Sequence, residues 1–324
     1  MPHLRKLLKR KAKATTNALP EASSSTAVVV PETPILPENE LGCTVIYEGD
    51  KPLLADLVFV HGLGGHPVKS WSKNDVYWPR DLLGPGVPNT RILTFGYIAK
   101  AATIVGAVSA NNIHDHAKAL VSDLRRQRKQ EEETTRPIIF MAHSLGGIVV
   151  KDALEYSRQN VEFKPQLASI YLATYGVVFF GTPHRGSQTA SLGVIAATAC
   201  KAVGKETNTN LLRSLETSSE TLERISEAFA KIISRREIKV HSFLEEFSMS
   251  SLVGKVVEDF SGRIGDAYEG EDRIPADHRE MIKFMDVHDI GYRRVLDVVE
   301  GFVDAAAEAA KAKNLPQLIT ANGL

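Results

Sequence analysis

From about Thr44 onward the chain alternates short, wholly apolar runs with longer segments of helical periodicity. The runs LVFV (Leu57–Val60), IIFM (Ile138–Met141) and VVFF (Val177–Phe180) are apolar at every position. A strand carries that pattern when both its faces are buried, as in a parallel sheet covered by helices. The same reasoning predicts strands over 44–48, Arg91–Phe95, Ile238–Phe243 and Val253–Val257. Helices are predicted over His116–Gln130, where Ala119, Leu120 and Leu124 recur at helical spacing, and over Leu145–Ser157, which leaves directly from a strand end. A closing helix is predicted over Tyr292–Lys311, with Val295, Leu296, Val299 and Phe302 on one stripe. Strand–helix–strand repetition implies an α/β fold: a mostly parallel sheet, right-handed crossovers and helices on both faces.

Two regions break this rhythm. A long stretch separates the strand ending near Phe180 from the one starting near Ile238. It holds the apolar segment Ala190–Val203 and helical patterns over Leu211–Glu216 and Leu222–Ser234. An insertion over about 186–236 reads as a helical cap above the sheet edge, or simply as extra helical packing. The other region is 1–40, a tail and linker rich in Thr, Ser, Pro, Glu and Ala with no sustained period. Its Val28–Val30 run could pair as an edge strand. The domain proper is expected over 41–324.

Composition adds little until it is read by segment. The formal net charge is zero, with 24% charged and 43% hydrophobic residues, which excludes wholesale disorder and any overall pull toward nucleic acid. Yet Arg5, Lys6, Lys9, Arg10, Lys11 and Lys13 lie in the first 20 residues with no acid, leaving 33 basic against 39 acidic residues in the remainder. Leu4, Leu7 and Leu8 interleave with these cations at roughly helical spacing, as in a targeting or membrane-surface segment. A solvated basic tail is the plainer alternative. No run reaches the length of a membrane-spanning helix or of a secretory signal core. Two cysteines, Cys43 and Cys200, make no disulfide framework and stand in no metal-ligand spacing, which points to a reducing intracellular compartment.

Chemistry enters at residues 138–150, IIFMAHSLGGIVV. A buried strand runs into His143-Ser144-Leu145-Gly146-Gly147 and straight out into an apolar helix. That is the context of a nucleophile elbow, in which a tight turn exposes a serine hydroxyl above the sheet edge. Ala142 stands where the first glycine of G-x-S-x-G is usual. A second motif, LVFVHGLGG (57–65), ends a strand in a glycine-rich loop. It lacks the Lys-Ser/Thr of a phosphate loop and the spacing of a dinucleotide fingerprint. Such a loop can instead turn the N–H of Leu63 toward the serine, with the N–H of Leu145 as the second donor of an oxyanion hole.

A serine nucleophile needs a base. Of the ten histidines, His3 lies in the tail, and His143, on the sharp turn, should point away from its neighbour. His61 and His184 follow strand ends and suit loop shaping, while His66 could touch substrate. His114 and His116 open a helix, and His241 lies within a strand. His278 and His288 remain, both before the closing helix. The order Ser, acid, His, with the histidine after the final strand, selects His278 in Pro-Ala-Asp-His-Arg-Glu-Met, with His288 as runner-up. The acid should follow the strand after the insertion. Glu245 is the leading candidate, with Glu246, Glu258 and Asp259 as alternatives.

Together FVHGLGGHPVKSW (59–71), TFGY (94–97), AHSLGG (142–147), FFGTPHRGS (179–187), SFLEE (242–246) and DHREMIKF with GYRR (277–294) resemble the α/β-hydrolase superfamily. More narrowly they resemble its lipase-like group of GPI inositol deacylases and serine-active-site-containing proteins, especially fungal members. The resemblance covers about residues 44–300. It implies a serine nucleophile, a histidine base and an acid, carried here by Ser144, His278 and Glu245. It also implies cofactor-free hydrolysis or transfer of acyl groups on lipid esters.

The resulting expectation is a serine esterase or lipase acting through an acyl-enzyme, without cofactor or metal, on a lipid or other acyl ester. The apolar 190–203 segment could line an acyl pocket. Peripheral membrane contact through residues 1–13 and a place in the cytoplasm, the mitochondrion or at the endoplasmic-reticulum surface are compatible with the tail. The competing expectation is a binding or signalling module that kept the fold and lost efficient turnover.

Overall fold

The structure is a computed structural model, and it describes residues 41–98, 110–184, 219–235, 238–249 and 255–321. All of these belong to the unit Ile35–Leu324. The expected tail and linker, the Ala190–Val203 segment and the helix expected over Leu211–Glu216 lie outside the described residues.

Seven strands form one sheet: β1 Gly42–Glu48, β2 Ala55–Val60, β3 Thr90–Gly96, β4 Ile138–His143, β5 Thr174–Phe180, β6 Lys239–Glu245 and β7 Glu269–Ile274. Their order across the sheet is β1-β3-β2-β4-β5-β6-β7. Only β1 runs antiparallel to its neighbour. The apolar runs behave as their composition requires. Val58, Val60, Phe140, Val177 and Phe179 enter one core, and Leu57, Phe59, Ile139, Met141, Val178 and Phe180 enter the other. Side chains two apart share a face, so a run apolar throughout fills both cores at once.

The first core is closed by α1 (Ala110–Gln127), α2 (Leu145–Gln159), α3 (Pro165–Ala173) and α4 (Ser219–Ser234). The second is closed by α5 (Ile290–Ala321), through Tyr292, Val295 and Val299, and by Trp71 and Trp78 from the segment after β2. Trp78 donates its indole N–H to the carbonyl of Ile282 at 2.7 Å, pinning that segment to the chain just beyond β7. No helix among the described residues is long and apolar enough to cross a membrane.

One expected strand is corrected. No strand occupies the described part of Val253–Val257. Val256 and Val257 lie in a loop, buried at 3% and 4% exposure. Their apolar character serves the core from an irregular backbone. The last strand is β7, EGEDRI, which alternates no clear apolar face because it is the sheet edge and half-exposed. The described portion of the expected cap, α4, packs against α2 and buries Leu222, Ile225, Phe229, Ile232 and Ile233 in the first core. α3 was not foreseen by periodicity.

Candidate active site

Ser144 stands between the end of β4 and the start of α2 with φ 54° and ψ −123°. A non-glycine residue at positive φ is strained and persists only where its surroundings impose it. Three contacts impose it here. The Ser144 N–H donates to the carbonyl of Phe180 at 2.9 Å. Its own carbonyl accepts the Gly147 N–H at 3.0 Å and the Thr182 hydroxyl at 3.2 Å. The turn also depends on glycines for close approach. A methyl group on Gly146 would strike the carbonyls of Val60 and His61, and one on Gly62 would lie 2.9 Å from the Ser144 Cβ. The glycine-rich loop after β2 is thus pressed directly against the serine.

The strand ends are laced in sequence along this edge. Gly181, at φ 50°, donates its N–H to Phe243 at 3.0 Å, and Glu246 donates to Ile274 at 3.1 Å. This lacing brings three distant residues together. His278 Nε2 lies 3.1 Å from Ser144 Oγ, and His278 Nδ1 lies 3.9 Å from Glu245 Oε2. All three residues are at most 5% exposed. Of the other acids considered, Glu246 is exposed, and Asp259 is engaged with Lys255 at 2.7 Å and Arg273 at 2.5 Å. Glu258 and Asp259 end no strand among the described residues. His288 is exposed.

Glu245 is held by a feature that sequence periodicity misread. Its Oε1 accepts the Val257 N–H at 2.5 Å, from the loop taken for a strand. Burial pushes its carboxyl up to about 7, while the amides of Val257 and Val256 pull the other way. Burial also holds the His278 imidazole well below its ordinary value, with His143 and Arg279 adding to the effect. Around neutral pH this pair therefore rests as a neutral imidazole beside a carboxyl in mid-titration. The imidazole is free to take a proton, and a carboxylate formed beside it can stabilise the resulting cation.

The two backbone donors expected for an oxyanion lie where the motifs put them along the chain. Leu63 is in the loop after β2, whose turn is closed by Gly65 N–H to Gly62 O at 3.1 Å. Leu145 is the first residue of α2, so its N–H has no acceptor within the helix. Most of the other described histidines shape loops or helices, while His241 lies within β6. His61 stacks on Tyr97 at 4.4 Å and is held neutral by burial, down to about 4. His66 Nδ1 accepts the N–H groups of Val68 and Lys69. His114 pairs with buried Asp152 at 2.8 Å, joining α1 to α2. His143, expected to point away, reaches the backbone carbonyl of His278 at 2.9 Å.

A family model described as "Putative serine esterase (DUF676)" matches residues 56–264, more than half of the chain and inclusive of the glycine-rich loop, Ser144 and Glu245. The chain belongs to this family. Among curated proteins, this DUF676 chain is 28% identical to Protein SERAC1 of Danio rerio over 218 residues, covering 60% of this chain and 31% of that protein. It is 26% identical to Protein SERAC1 of Homo sapiens over 167 residues, covering 46% and 24% respectively. The match therefore spans less than a third of the length of either relative. Among solved structures, lipase BlEst2 of Bacillus licheniformis in its mature form aligns with a TM-score of 0.52 at 17% identity, over 81% of this chain and 97% of that one. That likeness is one of fold, and with the strand order it makes this DUF676 member an α/β-hydrolase fold.

Proposed function

We propose that the protein is a serine-dependent carboxylic ester hydrolase acting on lipid or other acyl esters. The observation that carries this reading is the 3.1 Å approach of His278 Nε2 to Ser144 Oγ on a turn held at positive φ. Ser144 attacks the acyl carbonyl while His278 takes the hydroxyl proton. The N–H groups of Leu63 and Leu145 stabilise the oxyanion of the tetrahedral intermediate. Collapse of that intermediate expels the alcohol, which receives the proton from His278, and leaves an acyl-enzyme. Water, deprotonated by the same imidazole, then releases the acid and restores Ser144. Glu245 orients the imidazole and stabilises its cation. The 3.9 Å gap between them closes by about 1 Å to reach hydrogen-bonding distance, a tightening usual between free and substrate-bound forms.

The test is hydrolysis of p-nitrophenyl esters of increasing acyl length by wild type and Ser144→Ala, with fluorophosphonate labelling alongside. Loss of labelling and of turnover by several orders of magnitude in Ser144→Ala is expected, since such residues act as a unit. Turnover rising with chain length supports a lipid-like substrate. Equal labelling of both proteins refutes Ser144 as the nucleophile, and inertness of both while folded favours a module without serine chemistry.

A further inference from the structure

Building on the assignment of His278 as the base, we propose that His143 is a positioning residue, which fixes the His278 imidazole by holding its backbone carbonyl. His143 ends β4 immediately before the serine, yet its ring spans to a segment 135 positions away in sequence. Its Nε2–H donates to the His278 carbonyl at 2.9 Å, and the two rings lie 4.8 Å apart at 43°. A carbonyl can only accept, so this bond fixes the proton on Nε2 and leaves Nδ1 as an acceptor. That nitrogen faces the glycine-rich loop, where a Cβ on Gly62 would lie 3.0 Å away. Trp71 stands edge-on to the same ring at 6.5 Å. One buried imidazole thus touches the loop of the expected oxyanion donor, precedes the nucleophile, and grips the base by its main chain.

The need for such a grip follows from where His278 sits. The histidine lies in irregular chain between β7 and a short 3-10 turn over Glu280–Ile282, with no ladder of strand hydrogen bonds to fix it. Its Nε2 must nevertheless stay within hydrogen-bonding reach of Ser144 Oγ. On the far side of the ring, Gly181 packs so closely that a Cβ there would lie 2.9 Å from Nδ1. Packing limits the ring from that side, and the His143 bond limits the backbone that carries it. Burial holds the His143 imidazole down to about 4, so it is a neutral donor across the working range. It touches no reacting atom and acts only through His278.

The test compares three substitutions in the full chain. His143→Gln keeps an N–H donor at about the reach of Nε2. His143→Leu fills the volume and donates nothing. His143→Asn places its donor one bond short. Turnover of a short p-nitrophenyl ester, the fluorophosphonate labelling rate of Ser144 and Tm are measured for each, with Ser144→Ala as reference. His143→Leu is expected to lose about 10- to 100-fold in kcat, the cost of misplacing a reacting group by about 1 Å. KM should change less than about twofold, and labelling should slow in parallel. His143→Gln should recover most of the loss, and His143→Asn should not. Equal activity of the Gln and Leu variants, or of Gln and Asn where Leu does not fold, overturns the proposal and leaves only a packing role. If Ser144→Ala labels and turns over like wild type, the assignment of the nucleophile fails instead.

Discussion

Glu245→Gln should make the protein more stable and less active, and the two effects should separate with pH. The Glu245 side chain is 1% exposed, and burial raises its carboxyl from the ordinary 4.5 to about 7. Below the ordinary value both folded and unfolded chains hold the proton, and the carboxyl costs nothing. Between 4.5 and 7 the unfolded chain releases it while the folded chain retains it, so stability falls as pH rises. Above 7 the folded protein carries a buried carboxylate. At about 1.4 kcal/mol per pH unit, that charge costs about 3 kcal/mol. Glutamine is isosteric, still accepts the Val257 N–H at Oε1, and never ionises. Its Tm should match wild type near pH 4.5 and exceed it by roughly 5 °C at pH 8, taking about 1.5–2 °C per kcal/mol for a domain of this length. Over the same range kcat/KM of wild type should climb with an apparent pKa near 7, belonging to the Glu245–His278 pair. The variant should lack that limb and run about 10³–10⁴-fold slower at pH 8, as when a triad acid becomes an amide. Calorimetry from pH 4.5 to 8 with parallel ester kinetics reads both. A Tm difference that is constant with pH, or of opposite sign, refutes the reasoning.

Two further outcomes follow from the packing. Gly146→Ala drives a methyl into the carbonyls of Val60 and His61, backbone atoms that cannot swing aside; urea unfolding should show a loss of at least about 2 kcal/mol, with activity lost in proportion to distortion of the turn. Asp56→Asn removes the carboxylate that Arg91, Arg128 and Arg136 surround. Burial alone would raise that carboxyl, and the three guanidiniums outweigh it and hold it low. Stability should drop by about 3–5 kcal/mol because buried Arg128 is left without a carboxylate and Arg91 keeps only Glu133. Turnover per folded molecule should stay within about twofold, since Asp56 is the second residue of β2, at the end away from the glycine-rich loop.

How much of this was legible beforehand depended on where the information is local. The turn at Ser144 is written in adjacent residues: an apolar strand, a serine, two glycines and an apolar helix all within 138–150. The choice of His278 over His288 used only chain order. The edge strand β7 is invisible in sequence because every residue of it but Ile274 is at least partly exposed and need not be apolar. Val253–Val257 was misread for the opposite reason: Val256 and Val257 are buried, but by a loop whose amides serve a carboxylate rather than a ladder. His143 is set aside by sequence for its place on the sharp turn, and its actual partner is a backbone carbonyl, which leaves no signature in sequence.

By itself the sequence determined that strands buried on both faces alternate with helices, and that Ser144 heads a helix beside a glycine-rich loop. Those features follow from periodicity and from glycine's missing Cβ, which act over a few residues. Only the tertiary structure decided that Glu245, rather than Glu246, Glu258 or Asp259, lies beside His278. That selection depends on sheet order, on the lacing of successive strand ends, and on a surface ion pair that holds Asp259 elsewhere. It also decided the electrostatics, because a carboxyl moves to about 7 only when its neighbours in space take it out of water.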